Sequence, residues 1–278
     1  MDTLVSIVMP VYQTEDFLEE SMVGILQQDY SNWELLLILD GGPEVAKAPE
    51  WMQRFPDPRI RWFVSKRNRG LSRSRNLAMR FARGEWIAFC DSDDVWRPNK
   101  LQLQLQVAQQ GKYNVLGSRF AFSRQRVGPA SEMPSMEYLQ RSVLPKVLEY
   151  RTLLSTNALP MSSAMYNQYE LGKHYFHSSL GLFHIHEDYS YWLEMFAKKQ
   201  VRAHLLSKPL LRIRLRSNSR SSDKMAAMKA HASILLDHLG PGLLNRICGI
   251  YYLFNYMFWA LTKRSGRWQP VHTFDWNR

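Results

Sequence analysis

Cysteine is nearly absent: Cys90 and Cys248 are the only two in 278 residues. Two distant thiols build neither a disulfide framework nor a Cys-rich zinc site, and such scarcity is expected of a reducing compartment. Long apolar runs are missing as well. No window holds 18 uninterrupted apolar residues, so no membrane span is expected. The first ten residues lack a basic stretch followed by an apolar core, so no secretory signal is expected either. There is no G-x-x-x-x-G-K-[ST], no G-x-G-x-x-G and no H-E-x-x-H, which removes the signatures of P-loop, dinucleotide-binding and zincin chemistry. Repeats and low-complexity tracts are absent. Acidic residues are scarce in one place. Residues 205–278 carry 12 Lys+Arg against 3 Asp+Glu, a net of +9, whereas residues 1–204 carry 24 against 22, a net of +2. A neutral body with a basic C-terminal quarter seeks polyanions: an anionic membrane surface, nucleic acid or a phosphate-bearing substrate.

What remains is an ordinary globular composition, 45% hydrophobic and 22% charged, long enough for one large domain or two small ones. Short apolar runs at Val5–Met9, Leu35–Leu39, Ile60–Val64 and Trp86–Cys90 read as buried strands. Helical spacing fills the gaps. Thr14 is a fitting N-cap, with Leu18, Met22, Ile25 and Leu26 recurring after it. Leu71–Ala82 turns Leu71, Ala78 and either Phe81 or Ala82 inward, and Pro98–Gln110 forms a Leu/Gln-rich helix. Strands alternating with helices imply a mostly parallel α/β sheet, whose ligands sit outside the carboxyl ends of the strands. Those ends carry Pro10-Val11-Tyr12, Asp40 and Asp91-Ser92-Asp93-Asp94. Further on, Leu182–Ile185, Val201–Leu206 and Leu210–Leu215 read as strands. Glu187–Lys199, Asp223–Leu239 and Leu243–Thr262 read as helices.

Three clusters can carry chemistry. Asp91, Asp93 and Asp94 crowd three carboxylates onto four residues, and like charges this close repel unless a cation or protons neutralise them. Mg²⁺ or Mn²⁺ would suit, held by one or two carboxylates and a diphosphate. The plainer reading is a solvated turn in which Asp94 or Asn99 caps the next helix. Lys66–Arg83 holds seven Lys/Arg and no acid. Its glycine-led helix start suits phosphate oxygens, and the alternative is a solvated basic face. His184-Ile185-His186-Glu187-Asp188 is open to three readings: a metal site on the His pair, a general base at Asp188, or an ordinary acidic helix start.

Together these stretches resemble the family 2 glycosyltransferases of the inverting GT-A class, which includes many bacterial surface-polysaccharide enzymes. The motifs stand in order. They are Val5–Tyr12; Gln27–Glu34 leading into Asp40-Gly41; Asn68-Arg69-Gly70 with Arg75-Asn76; Gly84–Asp94; and Glu187-Asp188 followed by Trp192. The likeness is dense over residues 4–104 and thinner over 160–222.

The resemblance implies roles for particular residues. Asp40 matches the acid that bonds the nucleotide base, with Pro10, Val11 and Tyr12 as its floor and Glu15 or Asp16 on the ribose side. Asp93 and Asp94 match the metal- and nucleotide-binding acidic pair, and Asp188 the catalytic base. Arg75 is expected at the nucleotide. Arg214, Arg216 and Ser219 are expected at the diphosphate, in a Ser-rich loop that orders over the donor. Arg216 stands where relatives carry a His, so fewer protein ligands are expected for the metal.

The implied organisation is a nucleotide-sugar-binding half over 1–110 and an acceptor and catalytic-base half over 111–222. A basic, aromatic-rich helical extension follows over 223–278. The implied function is transfer of a sugar, with UDP-sugars the expected donors, to a glycan or lipid-linked glycan acceptor. Mg²⁺ or Mn²⁺ is the implied cofactor. The enzyme is expected at the inner face of the cell membrane, bound peripherally and taking no nucleic acid; the aromatic run at 247–262 is read as the membrane contact, with a core helix or a dimer interface as the alternatives. Two rivals are a metal-dependent nucleotidyltransferase or phosphodiesterase, and a non-enzymatic membrane- or nucleic-acid-binding module. Their products, or the lack of any, separate them from a transferase.

Overall fold

The computed structural model describes residues 3–123, 138–140, 146–177, 186–215, 224–240, 242, 248–254 and 268–269. The N-terminal part follows the expected alternation. It runs β1 (Val5–Val11), α1 (Glu15–Leu26), β2 (Trp33–Asp40), α2 (Glu44–Arg54), β3 (Ile60–Ser65), α3 (Leu71–Phe81), β4 (Trp86–Phe89), β5 (Val95–Trp96) and α4 (Lys100–Gly111). β1 lies between β2 and β4, parallel to both, and β2 pairs in parallel with β3. The order therefore reverses between β1 and β4, which opens a crevice at their carboxyl ends. The strands read as unbroken apolar runs because both faces are covered. Val8, Leu36 and Ile38 pack into one core with Ala78 and Met79 of α3. Their neighbours Ile7, Met9, Leu35 and Leu37 enter a second core with Leu18 and Met22 of α1.

Two local readings are sharpened. On α3 it is Ala82, at 7% exposure, that turns inward, while Phe81 stands 46% exposed. α2 is a helix that the sequence pattern hides, because Pro49 lies inside it. An interior proline removes one backbone bond and costs about 3 kcal/mol. Burial of Ala48 and Trp51 on the second core offsets that cost.

The second part comprises β6 (Val115–Ser123), β7 (Tyr138–Gln140), β8 (Val147–Leu148), α5 (Tyr150–Ser155), a 3₁₀ turn at Met161–Ser163, β9 (Met165–Asn167) and α6 (Gln168–Leu171). Then come α7 (Glu187–Lys198), β10 (Ala203–Arg214), α8 (Lys224–Leu239) and β11 (Trp268–Gln269). β9 continues the same sheet antiparallel to β4 and β6, so the sheet is parallel over β3-β2-β1-β4 and mixed beyond. The two strands expected over 201–215 are one. β10 runs through Lys208-Pro209 by shifting register on either side of Pro209, which is how a strand accommodates a residue with no N–H. The strand expected at 182–185 lies outside the described residues. In the extension, residues 248–254, the described part of the helix expected over 243–262, are helical. They lean on the first core through Tyr252 and Leu253. Among the described residues no helix is long and apolar enough to cross a membrane.

Candidate active site

The carboxyl end of β1 turns sharply. Gln13 takes a φ of +54°. Pro10 and Val11 are buried in the sheet, so of the expected floor only Tyr12, 41% exposed, offers its side chain to the crevice. Thr14 stands at the N-cap of α1, as the sequence suggests, but its hydroxyl bonds Ser92 Oγ at 2.7 Å instead of the helix. Its N–H donates to Glu44 Oε1 at 2.6 Å. Glu44 is fully buried, and its second oxygen has no hydrogen-bond partner among the described residues. Glu15 is half-buried at the first turn of α1.

Asp40, at the end of β2, is 3% exposed. Its two oxygens accept the N–H groups of Arg69 and Gly70, both at 2.9 Å. Gly70 holds a φ of +90°, a left-handed geometry that suits glycine. Asp40 therefore fastens the loop that starts α3.

The acidic turn after β4 does not gather its three carboxylates. Asp91 Oδ1 faces Arg75 at 2.6 Å, and Asp91 N–H donates to Ser162 Oγ at 2.9 Å. Asp94 is buried, and its Oδ1 accepts the Arg214 N–H at 3.2 Å. Burial, followed by the charges of Asp93 and Asp91, pushes the Asp94 carboxyl well above the usual carboxylate range; bonds from Ser162 and Arg214 oppose this. Asn99 occupies the N-cap of α4 without a side-chain cap, so the plain capping role for this turn is not what the structure has. Among the described residues no group of three or more His, Cys, Asp or Glu can hold a metal ion. Asp94 with Asp93 still offers hard oxygen donors in an under-neutralised pocket. That fits Mg²⁺ or Mn²⁺ held by one or two carboxylates.

Arg75 is 2% exposed and bridges Asp91 to Glu187 Oε1 at 3.1 Å, with its guanidinium 5.2 Å from the Phe176 ring centre. Burial lowers its pKa, but the charges of Asp91 and Glu187 outweigh that and the net direction is upward. It is thus a permanent cation joining β4 to the start of α7. Its Nε has no hydrogen-bond partner among the described residues, while its two terminal nitrogens face the two acids. Asp188 follows directly on α7. Its Oδ2 accepts a bond from Asn157 Nδ2 at 2.9 Å, and its Oδ1 accepts the Tyr189 N–H at 2.8 Å.

Arg214 is buried as well. Its side chain is 4% exposed, paired with Glu20, bonded to the Asp93 carbonyl at 3.2 Å and lying over Phe17. Glu20 also takes Arg212. Arg214 shapes the acidic turn and does not face outward. His186 turns its ring toward His231, 5.9 Å between centroids. Arg216, Ser219, the loop 217–222 and His184 lie outside the described residues.

Glu44, Ser162, Asn157 and Glu20 escape sequence reasoning. Each acts on a partner 30 or more residues away, and no local pattern marks such pairs.

Comparison with known proteins agrees with this geometry. A family model described as Glycosyl transferase family 2 matches residues 6–169, more than half of the chain. The chain is 28% identical over 275 residues to the Escherichia coli UDP-Glc:alpha-D-GlcNAc-diphosphoundecaprenol beta-1,3-glucosyltransferase WfgD, covering 99% of this chain and 97% of that protein. It is 26% identical over 226 residues to the putative teichuronic acid biosynthesis glycosyltransferase TuaG of Bacillus subtilis, covering 81% and 84%. Among solved structures, S. aureus TarS 1–349 in complex with UDP-GlcNAc superposes with a TM-score of 0.67 at 16% identity, covering 92% of this chain and 71% of that one. The Pyrobaculum calidifontis mannosyltransferase PcManGT, bound to GDP-Man and Mn²⁺, superposes at 0.60 and 14% identity, covering 94% and 75%. The fold is the one these glycosyltransferases share.

Proposed function

The chain belongs to glycosyl transferase family 2, and on that premise we propose that it moves a sugar, with inversion, from a uridine diphosphate sugar to the hydroxyl of a lipid-linked glycan. The observation that carries the reading is the pairing of two unlike carboxylates through one buried arginine. Asp94 lies under-neutralised at the end of β4. Asp188 lies at the start of α7, and Arg75 ties Asp91 beside the one to Glu187 beside the other. The uridine donor is supported by the UDP-Glc in the name of the Escherichia coli relative and the UDP-GlcNAc in the TarS complex. The acceptor is supported by the diphosphoundecaprenol in that same relative's name.

In this reading the residues divide the labour. Tyr12 packs on the base. Asp40 holds the Arg69-Gly70 loop against it, and Glu15 reaches the ribose. Asp94, with Asp93, would hold a divalent cation, which when bound would neutralise the departing diphosphate. Asp188 accepts the proton of the acceptor hydroxyl. The freed oxygen attacks the anomeric carbon from the face opposite the leaving group. The sugar–phosphate C–O bond breaks, and the electron pair leaves with the nucleoside diphosphate. Asn157 keeps the Asp188 carboxylate aimed. Arg216 and Ser219 complete the diphosphate side. Residues 1–110 serve the donor, residues 111–222 the acceptor and base, and the basic extension 223–278 seats the enzyme on an anionic membrane surface. Ile250, Tyr251 and Phe254 are 63–68% exposed on the helical residues 248–254, which suits the bilayer interface.

A donor screen tests the whole. UDP-sugars, with and without Mn²⁺, are offered beside a polyprenyl-diphosphate sugar, and the released nucleotide is identified. Metal-dependent release of UDP supports the reading. Release of pyrophosphate or a monophosphate, or of no nucleotide with any donor, overturns it.

A further inference from the structure

The donor site leaves most of the basic run around α3 unused. Of the seven cations in 66–83, only Arg75 is ion-paired. Lys66, Arg67, Arg69, Arg73, Arg80 and Arg83 are all exposed, and their side chains form no ion pair among the described residues. Neighbouring acids are committed elsewhere: Glu34 to Arg61, Glu187 to Arg75, and Glu194 to Lys198 and His177. Lys173 adds a further charge where its Nζ donates to the Arg80 carbonyl at 3.0 Å. Arg73, Arg80 and Phe81 recur at helical spacing on the exposed side of α3, while Leu77 between them packs against the core. Phe81 is 46% exposed within this charge, its ring stacked on Phe63 at 5.0 Å.

We propose that this face of α3 is a second membrane contact, in which Arg73, Arg80 and Arg83 pair with anionic lipid headgroups and Phe81 enters the interface. Position supports it. α3 and α8 bury their inner faces in the same core, through Ala78 and Met79 and through Ile234 and Leu235. Residues 248–254, which carry Ile250, Tyr251 and Phe254, lean on that core too, through Tyr252 and Leu253. Cations around an exposed aromatic ring, with further exposed apolar groups carried against the same core, match a bilayer surface. A nucleic acid backbone would use the charges and leave the apolar groups in water. The inference rests on the membrane residence proposed above and adds to it the surface that fixes orientation. A protein held at α3 and at 248–254 together cannot roll about its tail.

The test uses the full chain and vesicles of phosphatidylcholine with and without phosphatidylglycerol, at low salt. Each cation near an anionic surface contributes roughly a factor of five. The triple variant R73Q/R80Q/R83Q should therefore partition onto phosphatidylglycerol vesicles about tenfold to 100-fold less than the parent, with a shallower salt dependence. Its melting temperature and its turnover of a water-soluble acceptor should not change. A second variant, I250S/F254S, should lose binding to both vesicle types. Equal partitioning of the triple variant and the parent overturns the α3 contact while leaving the tail reading intact. A parent that binds neither vesicle overturns both membrane readings, and UDP release then tests the transferase alone. A single-stranded RNA that binds the parent more tightly than the vesicles, and is lost in the triple variant, assigns the face to nucleic acid and overturns the proposal.

Discussion

Asp94 and Asp188 are the same side chain in two surroundings. Asp94 is sealed at the end of a strand, with two further acids in its own turn and only an N–H and a hydroxyl for relief. Asp188 sits half-buried at a helix start, with the Asn157 amide and a backbone N–H holding its oxygens. The first pocket calls for a cation. The second holds a carboxylate between two neutral donors. Unlike environments suit like residues to unlike roles, and one arginine bridges the acid beside each of them.

The sharpest way to break this contrast is to cut the tie. Arg75→Met leaves Asp91 and Glu187 without their partner. Removing one member of a buried ion pair costs about 3–5 kcal/mol, so urea unfolding should show a large loss, with Arg75→Lys recovering only part. Next, Asp94→Ala should lower kcat/KM by about 10³-fold and abolish the Mn²⁺ dependence of nucleotide affinity. Calorimetry showing the same metal-linked UDP affinity as the parent would refute the role. Asp188→Asn should keep donor affinity and lower kcat by about 10²-fold. If turnover stays near normal, the base is Glu187 or His186.

pH probes the α7 end separately. His231 is buried against Tyr189, 4.3 Å between ring centres. Burial, then the neighbouring His186, lowers its pKa to about 3. A depressed folded pKa means stability that is present above the unfolded value and lost as pH falls. Between an unfolded value of about 6.5 and pH 5 that loss is about 2 kcal/mol. Denaturant melts at pH 7 and pH 5 should show it, and His231→Phe should shrink the difference by that amount. The smallest effect is expected from Asn157→Ala. One charged hydrogen bond is lost, so kcat should fall about tenfold with the donor KM unchanged. An equal fall in nucleotide affinity would mean that Asn157 supports the fold more widely.

How much of this was legible depends on distance along the chain. β1 to β4, α1, α3 and α4 follow from apolar runs and helical spacing, because both signals are local. α2 was hidden by Pro49, whose local cost is overcome by tertiary burial of Trp51. β10 was split in two because Pro209 reads as a stop, whereas a register shift lets the strand continue. Asp94 and Asp188 stood out through resemblance, but their neighbours did not. Asn157 and Ser162 come from a region with little periodicity, and Glu20 from the outer side of α1. The same limit explains the arginines. Charge marks Arg75 and Arg214 as polar and suggests a ligand, while only the folded chain reveals the acids already facing them.

The long strand β10 has a consequence for when the site comes into being. The acidic turn at 91–94 is complete only when Arg214, 120 residues later, lays its N–H on Asp94 and its guanidinium on Glu20. Such distant closure is slow compared with local pairing. The first four strands leave the ribosome early and pair among themselves, but the pocket between them stays unfinished until β10 slides in beside β6. Synthesis order thus acts as a clock: the chain gains its reactive centre last, after nearly all of the scaffold that shields it is in place.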